Sequence, residues 1–381
     1  MSSISDPNVP LRERLRFKAK LLRFDWFLLF LICLIASVGF FVLHSVGSQN
    51  NLAAKQIVRF LIGLSVMCSI ALINVRWIIR TIPFFYVFCL LLLLLVEIIG
   101  KTGMGAQRWL DIGFFMLQPS ELMKLALVLG LAYYYHILPP EKISRPLWVF
   151  VPLVLTAIPT VLVLKQPDLG TSILLMIPAF TMMFVAGVRW RWFISFGVLA
   201  CLLIGAVLYS QGKNWQILKD YQYKRIHAFV DPSIDPLGSG YHVTQSKIAF
   251  GSGEITGMGY KQGTQSHLNF LPENHTDFIF TVLAEEFGLI GSISLLLLYV
   301  SVLCICFMLG LNVRYTFGRL LVSGTTTMFF LLFAVNMAMV MGLIPVVGVP
   351  LPLVSYGGTS MMVVLLGFGL IMNVRIHRTL D

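Results

Sequence analysis

The chain has 381 residues, of which 57% are hydrophobic and only 12% are charged. Soluble domains are about 45–50% apolar and about 25% charged, so this composition excludes a soluble protein. One bilayer crossing takes roughly 20 apolar residues, and the length therefore leaves room for about ten crossings and little soluble mass. The net charge of +11 would suggest nucleic acid in a soluble protein. Here membrane topology explains it, and no nucleic-acid partner is expected.

Apolar stretches with few charges predict an all-α integral membrane protein with ten transmembrane helices. We place them at 26–45, 57–75, 82–98, 119–138, 147–164, 169–187, 192–210, 278–311, 320–341 and 357–374. Few polar segments separate these stretches, so residues 1–381 are expected to form a single polytopic domain.

Basic residues are distributed unevenly between the two sides of this bundle. Sixteen lie on the side of both termini, including the basic segment 1–25, whereas four lie in the short opposite loops. Lys and Arg accumulate in short cytoplasmic loops, so both termini are predicted to be cytoplasmic. The long loop between the seventh and eighth helices, 211–277, is then extracytoplasmic and is expected to carry part of the active site. Within it, Tyr241–Phe250 predicts a short amphipathic helix that would lie along the membrane surface.

Ionisable residues near a membrane segment are costly, and each therefore suggests a function. Glu121 and Lys124 are three residues apart at the start of the fourth helix, which places them on one face within pairing distance. A structural ion pair and the lining of a polar cavity both explain them. Asp168, in the turn after Lys165, is placed to cap the next helix. Contact with a substrate is the alternative.

Asp277 lies where the long loop meets the eighth helix, beside His275 and Thr276. The helix dipole favours a carboxylate there, so capping alone explains it. A general base acting on a lipid-borne hydroxyl would need the same residue at the membrane surface. These residues are compatible both with chemistry on a lipid-linked substrate and with transport across the bilayer. They do not assign a role to Glu285 or Glu286 in the eighth helix.

Five longer motifs follow one another along the chain. They are GAQRWLDIG at 105–113, QPSE at 118–121, KQPDLGT at 165–171, NHTDFIF at 274–280 with EEFG at 285–288, and GVPLPLVSYGGT at 348–359. Together they resemble the SEDS family (shape, elongation, division and sporulation) of cell-wall proteins. The forms KQPDLGTS and GVPLPLVSYGG, with GTQSHLNFLP at 263–272, resemble the elongation branch of that family more than its division branch.

The resemblance implies a peptidoglycan glycosyltransferase that polymerises lipid II on the outer face of the bacterial cytoplasmic membrane during cell elongation and shape maintenance. It implies as partners a class B penicillin-binding protein, which cross-links the strands, and other membrane proteins of the elongation complex. A lipid II flippase, a protein of the division branch and a non-enzymatic scaffold are the alternatives. Flipping would need ionisable groups across the full membrane depth, whereas the polar groups here are concentrated at the external end.

The resemblance also assigns roles to residues. Asp277 matches the family's essential aspartate and would be the base for the 4-hydroxyl of the acceptor sugar, with inversion as undecaprenyl diphosphate leaves. Positions that line the family's central cavity match Gln118, Glu121, Lys124 and Asp168. The other expected substrate contacts are Lys165, Lys224, Arg225, Lys247, His275, Thr276 and Ser355. Three of these cations, Lys224, Arg225 and Lys247, would stabilise the diphosphate. A divalent cation such as Mg²⁺ or Mn²⁺ is a candidate cofactor with no ligands identified.

Overall fold

The computed structural model describes residues 17–46, 51–103, 106–111, 113, 116–213, 216, 223, 239–267 and 274–377. Most of these residues are helical. The α-helices of the described part are α1 (Phe17–Leu22), α2 (Trp26–Val46), α3 (Leu52–Leu72), α4 (Val75–Ile99), α5 (Pro119–Ile137), α6 (Pro146–Lys165), α7 (Leu169–Ala186), α8 (Trp190–Tyr209), α9 (Ser239–Ser252), α10 (Thr264–His267), α11 (Ile279–Leu311), α12 (Thr316–Val340) and α13 (Gly358–Ile376).

Every predicted transmembrane segment is a helix, which confirms a multi-pass helical membrane protein. Helices α3 and α4 begin earlier than predicted, at Leu52 and Val75 rather than at 57 and 82. The first turns of both helices contain polar and charged side chains, and the predicted spans began only after them. Among the described residues, nine helices are long and apolar enough to cross a membrane.

Helix α5 is the predicted span that falls short of this apolar composition. It packs against α4, α6, α7, α12 and α13, and most of its side chains are buried. Because other helices surround it, α5 needs little lipid-facing surface and tolerates the charges of Glu121 and Lys124. Its position at the centre of the bundle explains its polarity.

The prediction of an all-α fold is confirmed for nearly all of the described residues, and one short segment between α4 and α5 departs from it. The chain forms a three-stranded antiparallel sheet there, with β1 (Lys101–Gly103), β2 (Ala106–Asp111) and β3 (Met116–Leu117) in the order β1-β2-β3. Strands of six residues or fewer give no signal in an analysis of helix-length apolar stretches. Hydrogen bonds from the Lys101 side chain and the backbone N–H of Gly113 hold the pKa of Asp111 below its usual value.

Contacts bring the start of α2, the α3–α4 turn and the end of α13 to one end of the bundle. Asp25 forms an ion pair with Arg375, and the Lys20 ammonium donates to the Leu72 carbonyl at 2.5 Å. The Asn373 amide donates to the carbonyls of residues 70, 71 and 73. The two ends of the described chain therefore lie on the same side, as ten crossings require. That this side is cytoplasmic stays a prediction of the charge count.

Residues 341–357, between α12 and α13, form no regular helix and are packed into the opposite end. The Asn336 amide donates to the Val349 carbonyl at 2.6 Å, and the Tyr299 hydroxyl donates to the Pro352 carbonyl at 2.7 Å. A Cβ on Gly39 would lie 2.6 Å from the Val354 Cα, so α2 passes directly against this segment. Non-helical backbone at membrane depth needs such internal partners.

The helix predicted at Tyr241–Phe250 is confirmed as α9, Ser239–Ser252. It packs against α11 and α12. The buried Ser246 hydroxyl donates to the Val340 carbonyl at 3.1 Å and pairs with the Thr281 hydroxyl at 2.8 Å. This part of the long loop is thus attached to the helical bundle.

Candidate functional site

Asp277 lies in a turn, residues 274–278, that joins the long loop to α11. Phe278 occupies the N-cap position of α11, one residue after Asp277. The carboxylate is partly exposed, whereas Asn274 before it and Phe278 after it are buried. The turn therefore presents Asp277 at the end of the bundle opposite the chain ends.

Three consecutive carbonyls hold this turn in place. The His275 carbonyl accepts from the backbone N–H of Tyr356 at 2.9 Å, and the Thr276 carbonyl accepts from the Ser355 hydroxyl at 2.6 Å. The Asp277 carbonyl accepts from the Asn336 amide at 2.8 Å. The backbone on both sides of the carboxylate is thus fixed by α12 and by segment 341–357.

Glycines allow two further segments to approach Asp277. Gly348 has φ +70°, and a Cβ on it would lie 3.3 Å from Asp277 Oδ2. A Cβ on Gly170, in the first turn of α7, would lie 2.5 Å from Val347 Cγ1. The start of α7, segment 341–357 and the Asp277 turn therefore meet at one place.

Asp168 caps α7, because its Oδ1 accepts from the Thr171 N–H at 3.1 Å. Its other carboxylate oxygen lies 3.6 Å from an Arg108 nitrogen. Arg108 also donates to the carbonyls of Gln166 at 3.1 Å and Pro167 at 2.5 Å. Arg108 thus attaches the β-sheet to the turn before α7. The sequence analysis did not predict this structural role.

Glu121 and Lys124 form the predicted ion pair at 2.7 Å, and both side chains are buried. Gln118 is the N-cap residue of α5 but makes no side-chain cap bond. Its backbone N–H lies 3.4 Å from the Thr359 hydroxyl, which donates to the Met116 carbonyl at 3.1 Å. The polar start of α5 is thereby joined to the start of α13, next to segment 341–357.

The structure does not bring all of the predicted site residues together. Lys165 and Lys247 are exposed, and Lys224 and Arg225 lie outside the described residues. The Ser355 hydroxyl bonds the Thr276 carbonyl and accepts from the Leu351 N–H at 2.8 Å. Its visible role is therefore to hold the Asp277 turn.

Gln56 and Arg59 on α3 contact the site, and the sequence analysis missed both. The Gln56 side chain is fully buried; its amide donates to the Ser355 carbonyl at 3.0 Å and its oxygen accepts from the Gly357 N–H at 3.4 Å. The Arg59 guanidinium lies 4.6 Å from the centroid of the Tyr356 ring. A charge inside the predicted span 57–75 was a signal that could have identified Arg59.

Glu285 and Glu286, whose roles the sequence left open, are buried and hold the long loop. Glu285 accepts from the backbone N–H groups of Gln265 at 2.8 Å and Ser266 at 3.1 Å, and also from the Ser266 hydroxyl. Glu286 accepts from the Lys261 N–H at 3.2 Å and from the Ser45 hydroxyl. Glu285 thus accepts from donors of the long loop, and Glu286 joins that loop to Ser45 on α2.

A break in α11 completes this attachment. Gly288 has non-helical dihedral angles, φ 62° and ψ −156°. Beside it, the N–H groups of Met258 and Gly259 donate to the carbonyls of Glu285 and Glu286 at 2.9 and 3.0 Å. We call residues 253–266 with this break the loop anchor. The Asn274 amide donates to the Ser266 carbonyl at 3.0 Å, which connects the loop anchor to the Asp277 turn.

Within the described ranges, no group of three or more His, Cys, Asp or Glu side chains could hold a metal ion. These residues therefore provide no recognisable ligand set for the divalent cation considered from sequence.

A family model links this arrangement to known proteins. The chain belongs to the family of the cell cycle proteins FtsW, RodA and SpoVE, whose model matches residues 19–380. This is the SEDS family that the motifs resemble.

Individual relatives match over almost the whole chain. The chain is 40% identical over 353 residues to the peptidoglycan glycosyltransferase MrdB of Escherichia coli K12, covering 92% of this chain and 93% of that protein. It resembles a chain in a solved peptidoglycan synthase complex that coordinates polymerization and crosslinking, with TM-score 0.79, 34% identity and coverage of 94% and 99%. It also resembles the rod shape determining protein RodA of Thermus thermophilus, with TM-score 0.71, 31% identity and coverage of 94% and 98%.

Proposed function

We propose that this membrane protein is a peptidoglycan glycosyltransferase that polymerises lipid II during cell elongation, at the outer face of the cytoplasmic membrane. The observation that carries the proposal is the Asp277 turn, which three carbonyl contacts hold at the end of the bundle. Membership of the SEDS family and similarity to MrdB, a named peptidoglycan glycosyltransferase, support it.

In the proposed reaction, Asp277 accepts the proton of the acceptor sugar's 4-hydroxyl as its oxygen attacks the anomeric carbon of the donor. The bond to undecaprenyl diphosphate breaks, the electron pair leaves with the diphosphate, and the configuration inverts. A general base contributes about 10²–10⁴-fold when it is positioned within hydrogen-bond reach of the proton. The fixed backbone around Asp277 supplies that positioning, because a small displacement of a catalytic group is costly.

We propose that the polar groups at the same end accommodate the headgroup. Gln118, the Glu121–Lys124 pair and Asp168 would line its cavity, with His275 and Thr276 beside the base. A buried ion pair fits a wet cavity better than lipid, since desolvating both charges is expensive. Lys165, Lys224, Arg225 and Lys247 stay proposals as contacts to the more exposed parts of the substrate.

The function is tested with purified protein and lipid II, by separating glycan chains on a gel. Polymer made by this chain alone or with its partner supports a glycosyltransferase. A matched assay on proteoliposomes, which follows labelled lipid II from one leaflet to the other, tests the flippase alternative. Transport without polymer would contradict the proposal.

We also propose a class B penicillin-binding protein as the partner. Similarity to a chain of a synthase complex that coordinates polymerization with crosslinking supports this assignment. Co-purification from membranes in mild detergent tests the pairing. Full unassisted activity together with persistent failure to co-purify would contradict it.

A further inference from the structure

Arg59 lies one turn after Gln56 on α3, and its side chain is half-buried. The Tyr356 ring that its guanidinium covers contacts the His275 ring edge-on, with 6.0 Å between centroids. The Tyr356 N–H also donates to the His275 carbonyl. Arg59 is therefore separated by one aromatic ring from the turn that carries Asp277.

Within the described part of the chain, Arg59 has no carboxylate partner and donates no hydrogen bond. Stacking uses the face of the guanidinium and leaves the N–H donors along its edge. That planar edge matches the oxygens of a phosphate group. A charge within a membrane segment normally faces a partner or a wet cavity. The charge count assigns the end of the bundle that holds Arg59 to the outside. The preference of Lys and Arg for the cytoplasmic side therefore does not explain why an arginine occurs at this position.

Hydrogen bonds of the neighbouring Gln56 fix the backbone around Tyr356, the residue on which Arg59 stacks. Gln56 bonds both sides of Tyr356, at the Ser355 carbonyl and the Gly357 N–H. A Cβ on Gly358 would lie 3.6 Å from Arg59 Nε, so the backbone at the start of α13 passes close to the guanidinium. The adjacent start of α13 has no side-chain cap and adds partial positive charge.

We propose that Arg59 binds the diphosphate of the lipid-linked donor and stabilises the negative charge that grows on the leaving group. The inference rests on the proposed glycosyltransferase function and adds a substrate-binding residue to it. As the bond from the anomeric carbon to the diphosphate oxygen breaks, that oxygen keeps the electron pair. The planar edge of Arg59 donates to the diphosphate oxygens, while Asp277 holds the proton from the acceptor.

The test measures polymerisation by the reconstituted protein and its inhibition by undecaprenyl diphosphate and by undecaprenyl monophosphate. Arg59→Gln should lower kcat/KM and weaken inhibition by the diphosphate by about tenfold or more, as expected for loss of a charge-assisted contact. Inhibition by the monophosphate should change less. Arg59→Lys should restore only part of the effect, because it returns the charge without the bidentate edge.

Arg80→Gln is the matched control. Arg80 also covers an aromatic ring, with 5.5 Å between its guanidinium carbon and the Trp77 centroid, but it lies on α4 away from the site. A purely structural role for Arg59 would lower the folded yield without changing the selectivity for diphosphate. Unchanged diphosphate inhibition in folded Arg59→Gln, or an equal loss in Arg80→Gln, would overturn the inference.

A direct binding measurement separates this inference from the proposed function. If the wild-type protein makes no polymer, the proposed function fails. Binding of undecaprenyl diphosphate, measured by native mass spectrometry, then decides the role of Arg59. Weaker binding in Arg59→Gln but not in Arg80→Gln supports the inference, and equal binding in all three proteins contradicts it.

Discussion

Glu121 and Lys124 show at the residue scale how a membrane protein tolerates charge. The two side chains are buried and 2.7 Å apart on the central helix α5. Removing one partner leaves the other charge buried and unpaired, which typically costs about 3–5 kcal/mol. We therefore expect Glu121→Gln and Lys124→Met each to lower the thermal stability strongly, and the double variant to lower it less than the sum.

Thermal unfolding in detergent measures this coupling, and the exposed pair Lys101–Asp111 provides the control. Breaking that pair should leave the thermal stability nearly unchanged, because water solvates the freed charge. Additive losses for Glu121 and Lys124, with no coupling, would contradict a buried pair.

Several site residues were predictable from local spacing. The three-residue interval predicted the Glu121–Lys124 pair, and the turn before α7 predicted the cap by Asp168. Gln56 and Arg59 were not predictable in the same way, because their partners near Tyr356 lie about 300 residues further along the chain. Only the fold brings those segments together, although a charge inside a predicted span was a usable signal.

The loop anchor is the feature at the element scale that connects the long loop to α11. A Cβ on Gly257 would lie 2.1 Å from the Glu286 carbonyl oxygen, and its φ is +84°. We expect Gly257→Ala to detach the loop and to cost about 1–3 kcal/mol from backbone strain alone. The detached loop should be cut faster by protease and should lower polymerisation, because it no longer supports Asn274.

Gly251→Ala is the control for this change, since a Cβ there would meet no atom within 4 Å. Limited proteolysis and thermal unfolding compare the two variants. Equal protease resistance of the loop in both would contradict the anchoring role.

His377 provides a second prediction at the element scale, at the opposite end of the bundle. Burial lowers its pKa from 6.5; the bond to the Asn373 carbonyl opposes this, and the charges of Lys20 and Arg23 add to the lowering. A group with a lowered pKa in the folded state is protonated first in the unfolded state as the pH falls. Stability should therefore decrease as the pH falls below about 6.5. The thermal midpoint of His377→Gln should depend less on pH across this range, and an identical pH dependence would contradict the prediction.

At the scale of the whole molecule, each of the ten predicted apolar stretches coincides with a long helix in the part of the chain that the structure describes. Hydrophobicity alone could predict these helices because each helix that spans a membrane must satisfy its own backbone. The small sheet escaped prediction because its strands have six residues or fewer, and the loop anchor because its backbone bonds join the long loop to α11. The gap between the last two helices was predicted, but the contacts of segment 341–357 with other helices were not. Segment 341–357 contacts the Asp277 turn directly, and the loop anchor is connected to it through Asn274. The sheet holds the turn before α7 through Arg108. The least predictable parts of the fold therefore support the proposed chemistry.

The most direct measurement of the central claim is lipid II polymerisation by purified Asp277→Asn, with its partner present. The substitution keeps the size of the side chain and removes its proton-accepting capacity. The account predicts a loss of at least 10²–10⁴-fold, with stability and partner binding close to wild type. Asp277→Glu should recover little because it displaces the base, and Asp111→Asn, which changes an exposed carboxylate in the sheet, should keep activity. Polymer at the wild-type rate from well-folded Asp277→Asn would contradict the assignment of Asp277 as the base.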